Sequence, residues 1–144
     1  MTTLFASFHH LAVLTLLGCT LTAIVQLRRP LDIPRARLLR TTDMINGIAA
    51  TMVLVVGVVR MVYLEKGADY YLHNGPFLAK LVLYGVASVL SLVPTLEVMR
   101  WRAPLKQAVL PTVRPEQLGR MRTVAILQLV CLLAMMVCAN LAAR

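Results

Sequence analysis

The chain has 144 residues, 59% of them hydrophobic and 15% charged, with a mean hydropathy of +0.76. Soluble domains run at roughly 45–50% apolar and about 25% charged, so this composition excludes an ordinary water-soluble domain. The formal net charge of +9 would suit a nucleic-acid ligand in total, but the placement of the basic residues, described below, argues against nucleic acid as a partner.

Four apolar runs can be read, approximately 4–25, 42–64, 77–98 and 123–142. Each is about 20 residues long, enough to cross a hydrocarbon core of roughly 30 Å. The connections use most of what remains, so residues 1–144 are expected to form a single domain with no separate soluble part. The opening MTTLFASFHH has no basic n-region, and two histidines interrupt its apolar start. A cleaved signal peptide is therefore not expected, and the first span is retained. That span stops at Arg28-Arg29-Pro30, where charge and proline act together. Thr41-Thr42-Asp43 reads as a capping signal that opens span two. Within span two, Asp43, Asn46, Ala50, Val53, Gly57 and Arg60 follow alternating spacings of three and four. They share one helix face, small and polar, of the kind that turns inward in a membrane bundle.

Asn74-Gly75-Pro76 reads as a turn followed by a helix-starting proline. Span three then carries Lys80, Tyr84, Ser88, Ser91 and Thr95 on a second polar face, and Pro94 is expected to bend it. Loop three holds Pro104, Pro111 and Pro115 and is the longest connection. Span four aligns Gln128, Cys131, Met135, Cys138 and Ala142. Span one is ambiguous, because His9 and His10 point about 100° apart. With no strand pattern or repeat, the fold class is all-α: an integral-membrane four-helix transmembrane bundle, antiparallel, with short loops.

The charge has a simple use. Arg28, Arg29, Arg35, Arg37 and Arg40 lie between spans one and two, and Arg100, Arg102, Lys106, Arg114, Arg120 and Arg122 between spans three and four: eleven of the 15 basic residues. The loop between spans two and three carries Lys66, opposed by Glu65 and Asp69. By the positive-inside rule the two basic loops are cytoplasmic and both termini lie on the outer side. The basic loops also attract anionic lipid.

Chemically capable residues gather at the outer end. Lys80 sits near hydrocarbon, where an ammonium costs about 2.5–3.5 kcal/mol on insertion scales and calls for a partner or a task. Arg60, His9 and His10 stand at the same depth. Neutral imidazole is a common ligand for haem iron and several metals, and two neighbouring cations suit ligand carboxylates such as haem propionates. Glu65 and Asp69 are the anions the protein itself offers. The plain alternatives are an interfacial histidine bonded to a neighbour and cations that snorkel to the headgroups. Tyr63, Tyr70 and Tyr71 read either as an aromatic belt or as hydrogen-bonding groups for a ligand in the outer pocket. Asp43 and Glu97, at the inner ends of spans two and three, are expected to pair with nearby arginines. Met61, Met135 and Met136 fill the core more naturally than they ligate iron. Cys19, Cys131 and Cys138 fall inside spans without CxxC spacing, which excludes a disulfide framework and covalent c-type haem. No nucleotide loop, HExxH motif, nucleophile elbow or paired-carboxylate spacing is present, so soluble hydrolase or kinase chemistry is set aside.

Several stretches together resemble a known pattern. HHLAV in span one, RLLR before span two, EKGADYYLHNGPFLAK, and SLVPTLEVMRWR resemble an uncharacterised family of small bacterial four-helix membrane proteins, nearly end to end. That resemblance implies a multi-pass protein of the bacterial cytoplasmic (inner) membrane. A more distant similarity is to HemJ-type protoporphyrinogen oxidases, small four-helix membrane proteins that bind b-type haem. Their first span carries a histidine in a setting like His9-His10-Leu11-Ala12-Val13, with His9 better aligned. Their third span opens with a lysine like Lys80 in Phe77-Leu78-Ala79-Lys80-Leu81. The histidine they usually carry two residues earlier is Leu78 here.

The resulting expectation is a b-type haem-binding bundle active in redox or electron transfer. His9 or His10 would be the iron ligand, Arg60 and Lys80 would neutralise propionates, and Tyr70 and Tyr71 would stand nearby. Quinone or a redox protein would be its partner. The alternative is a non-catalytic accessory subunit or scaffold, possible as a homodimer through the small residues Ala50 and Gly57. An enzymatic reaction is not specified by these residues.

Overall fold

The structure, a computed structural model, describes residues 2–64 and 68–142. Among these the elements are all helical: α1 (Thr2–Leu27), α2 (Ile33–Val59), which continues as a π-helical turn (Arg60–Leu64), α3 (Ala68–Leu72), α4 (Gly75–Arg100), α5 (Arg102–Lys106) and α6 (Pro115–Ala142). Four stretches are long and apolar enough to cross a membrane: Thr3–Leu27, Ile33–Leu64, Gly75–Arg100 and Pro115–Leu141. The four long helices close a ring in which α1 packs on α2 and α6, and α4 packs on α6 and α2. Glu65 and Lys66 lie outside the described residues.

The helices overrun the apolar runs at the basic end. Span two does not start at Thr41-Thr42-Asp43. It starts two turns earlier, where the Asp32 side chain accepts from the Arg35 N–H at 2.8 Å and Pro34 fills the first turn. An Asp cap with proline in the first turn satisfies the orphan N–H groups of a helix start better than threonines already inside a helix. Thr42 is instead buried within α2. Similarly, α6 begins at Pro115, ahead of the apolar run from residue 123. At the opposite end the Asn74-Gly75-Pro76 signal reads correctly: the Asn74 side chain accepts from the Phe77 N–H at 3.0 Å. Helix α4 runs unbroken through Pro94.

Two apolar clusters hold the bundle. Near the basic end, Leu27, Ala36, Leu39, Val98, Trp101, Leu105 and Met121 pack together. Toward the other end, Ala12, Leu16, Ala49, Val53, Leu132 and Met135 do so. Large apolar side chains on the outer faces, such as Leu11, Leu14, Val82, Val89 and Val137, are exposed, as lipid-facing positions are. With no water at that depth, hydroxyls bond to their own helix: Thr15 donates to the Leu11 carbonyl, Thr20 to Leu16, Thr51 to Gly47 and Ser88 to Tyr84.

The topology is open to a direct check. In a background in which the three native cysteines are replaced, a membrane-impermeant maleimide applied to intact cells is expected to label Asn74→Cys and to leave Lys106→Cys unlabelled until the membrane is opened. The reverse pattern would invert the orientation drawn from the basic loops.

Candidate functional site

Two groups of polar residues are candidates, one at each level of the bundle. At the end that carries the Asn74 turn, the structure separates the adjacent histidines. His10 is exposed on the outer face of α1, while His9 is turned toward α2. Their rings meet edge to face with centroids 6.2 Å apart. His9 lies over Gly57: a Cβ at that position would stand 3.5 Å from the His9 Cε1 and 4.0 Å from its Nδ1. A methyl would fit there at ordinary contact distance, whereas a larger side chain would meet the imidazole. Arg60, one turn further along, is only partly exposed and opens the π-helical turn, a local widening that often marks functional positions. Its own N–H still reaches the Gly57 and Val56 carbonyls.

The aromatic residues near this end form a second cluster. Tyr70 and Tyr71 stack edge to face at 5.2 Å, Tyr71 tilts onto Phe77 at 4.7 Å, and the Lys80 Nζ lies 5.5 Å from the Phe77 ring centroid. A cation within about 6 Å of a ring face is worth roughly 0.5–1 kcal/mol at an exposed site. Tyr63 is 79% exposed and faces away. Asp69 is engaged by His73, whose Nδ1 lies 3.7 Å from its carboxylate and 2.9 Å from its backbone carbonyl. Met135 is buried in the apolar cluster toward this end and Met136 is exposed.

The second group was only partly legible. Asp43 does not pair with an arginine: it accepts from the Thr95 hydroxyl at 2.8 Å. Arg35 is taken by Asp32 at 2.9 Å, and Arg37 reaches toward the Leu105 carbonyl at 3.5 Å. Asp43 stands roughly two turns further along α2 than these arginines, level with Thr95 of α4. Glu97 does pair with a basic neighbour, Arg100, at 3.5 Å. Around Asp43 the polar faces of α2, α4 and α6 meet. Asn46, Ser91 and Gln128 border two adjoining cavities of about 40 Å³ each. Gln128 is buried, and the Asn46 Oδ1 is buried without a hydrogen-bond partner. Tyr84 bridges from α4 to α2 by donating to the Ala50 carbonyl at 2.7 Å. The three polar stripes were visible in the sequence; their meeting at one depth was not.

A family model described as "Predicted membrane protein (DUF2214)" matches residues 1–144. The chain belongs to this family. No curated protein and no solved structure matches it. Membership agrees with the four spanning helices and places the protein in a lipid bilayer. The family description names no activity, so chemistry has to be argued from the two groups of residues themselves.

The seat of His9 gives a stability test. Gly57→Ala places a methyl at ordinary contact distance and is expected to be nearly neutral. Gly57→Leu drives into the imidazole and is expected to lower stability by about 1–3 kcal/mol, the usual cost of overpacking. Thermal unfolding in detergent reads both, and a well-tolerated Gly57→Leu would dismiss the packing described here.

Proposed function

We propose that the end of the bundle bearing His9, Arg60 and Lys80 binds an anionic redox cofactor, with b-type haem the candidate, and that the protein takes part in electron transfer. The observation that carries this reading is the inward seat of His9 on Gly57, at the end where Arg60 and Lys80 also stand. The donor set suits the group: a neutral imidazole for iron and two cations for propionate carboxylates. The Gly57 cradle supports it as well, because it orients the imidazole edge carrying Cε1 and Nδ1 toward α2. His9, rather than His10, would ligate iron. Arg60 and Lys80 would hold the carboxylates, and the Tyr70–Tyr71 pair would offer hydroxyls beside them. Haem, when bound, supplies one-electron chemistry; the chain's part is to bind it, orient it and keep it out of water. A quinone or a redox protein would exchange the electron, in the cytoplasmic membrane of a bacterium. The sequence similarity of HHLAV and FLAKL to HemJ-type proteins points the same way.

One observation favours a second reading, an accessory subunit or scaffold that associates as a homodimer or within a larger complex. Among the described residues no other histidine faces His9 across the bundle: His10 faces outward and His73 is held at the Asn74 turn by Asp69.

A reduced-minus-oxidised absorbance spectrum of protein purified from haem-replete cells separates the two. The cofactor reading expects a Soret band with sharp α and β bands, lost in His9→Ala and kept in His10→Ala. Loss in His10→Ala alone would contradict the seat of His9, and a flat wild-type spectrum at full haem supply would leave the scaffold reading standing.

A further inference from the structure

We propose that the polar layer between α2, α4 and α6 is a binding site for a small monovalent metal cation of the sodium class, with Asp43 as its counter-charge. This site is separate from the outer end and does not depend on the haem reading. It rests on what the two adjoining cavities offer.

The first part of the argument is charge. Asp43 lies inside a spanning helix, at the level of the polar layer, and its hydrogen-bond partner is the neutral Thr95 hydroxyl. Among the described residues the ion pairs formed by arginine go to Asp32 and Glu97, not to Asp43. A carboxylate facing the interior of a membrane bundle without a cation is costly, and such residues characteristically mark ion or proton sites.

The second part is the direction of the hydrogen bonds. Five hydroxyl protons around the cavities are already committed elsewhere. Thr95 donates to Asp43, Ser91 to the Ser88 carbonyl at 2.7 Å, Ser88 to the Tyr84 carbonyl, Thr20 to the Leu16 carbonyl and Tyr84 to the Ala50 carbonyl. What those groups turn to the cavities is lone pairs. The Asn46 Oδ1 adds a buried acceptor that receives no hydrogen bond. An unmet buried acceptor of this kind costs about 1–3 kcal/mol. Asn46 and Gln128 also bring amide N–H donors to the lining, but these carry no charge; the one negative charge, set among oxygen acceptors, calls for a hard cation carrying one positive charge.

The third part is size. Each cavity is about 40 Å³, and a single water needs roughly 10–15 Å³ on such a measure. The space suits a metal ion with one or two waters. Asn46, Ser91 and Gln128 border both cavities, so they form the level at which an ion would be shared.

The test uses the full chain purified in detergent, with sodium chloride compared against choline chloride at equal ionic strength. Sodium is expected to raise the unfolding temperature of the wild type, and Asp43→Asn, which keeps the shape and can still accept from Thr95, is expected to lose the difference. Gln128→Met, which leaves Asp43 in place, is expected to reduce it, so the proposal stays testable if the Asp43 variant does not fold. Cys19 also borders the cavity and reports on it independently. In a Cys131→Ala/Cys138→Ala background, sodium at ten times its Kd is expected to slow maleimide labelling of Cys19 roughly tenfold, following the factor 1 + [L]/Kd. Equal stability in the two salts overturns the proposal, as does a full sodium effect in both variants. Stabilisation by acid with no sodium dependence would identify the occupant as a proton and overturn the metal-ion assignment.

Discussion

Inside a bilayer no water is present to satisfy a polar group, so every N–H, carbonyl, hydroxyl and charge must find its partner within the protein. That constraint organises this bundle into levels. From the basic end, α2 presents Ala36 and Leu39, then Thr42, Asp43 and Asn46, then Ala49 and Val53, and finally Gly57 and Arg60. Helix α6 repeats the pattern with Met121, then Gln128, then Leu132 and Met135. Apolar clusters lie above and below a polar layer, and the hydrogen bonds that cross from α4 to α2 belong to that layer or its edge. Polar contacts between spans are worth only about 0.6 kcal/mol on average. The clusters therefore supply most of the cohesion, while the polar bonds set the register of α4 against α2.

The outer end solves a different problem. There the chain must place imidazole, guanidinium and ammonium close to the interface without losing their solvation. It does so by keeping a small residue at Gly57 beneath His9, by widening α2 into a π-helical turn at Arg60, and by laying Lys80 across the Phe77 ring. Each device adjusts local geometry around a cation or an imidazole rather than adding apolar contact. That is why the cofactor reading centres here. The inner layer, where the Asp43 carboxylate is met by the neutral Thr95 hydroxyl, is where the small-ion proposal centres.

The two readings draw on different parts of the sequence. Of the two anions that the loop between spans two and three offers, Glu65 lies outside the described residues. Asp69, the other, has its carboxylate fully exposed beside His73. The inner layer has no local motif at all. Its members are scattered over four helices, from Thr20 to Gln128, and none is unusual for a membrane span on its own.

Hydropathy alone determined that there are four spans, that they are helical, and which loops are basic, because run length and charge placement are local properties of the chain. Three-four spacing also determined which side of α2 and α4 turns inward. The tertiary structure decided the rest. It turned His9 rather than His10 toward α2, since adjacent residues on a helix point about 100° apart and only the neighbouring helix selects between them. It moved the start of α2 to Asp32, because a cap depends on backbone geometry as well as residue type. It gave Asp43 to Thr95 rather than to an arginine, because the relative depth of two helices is set by how their apolar clusters interlock, and no one-dimensional pattern carries that offset.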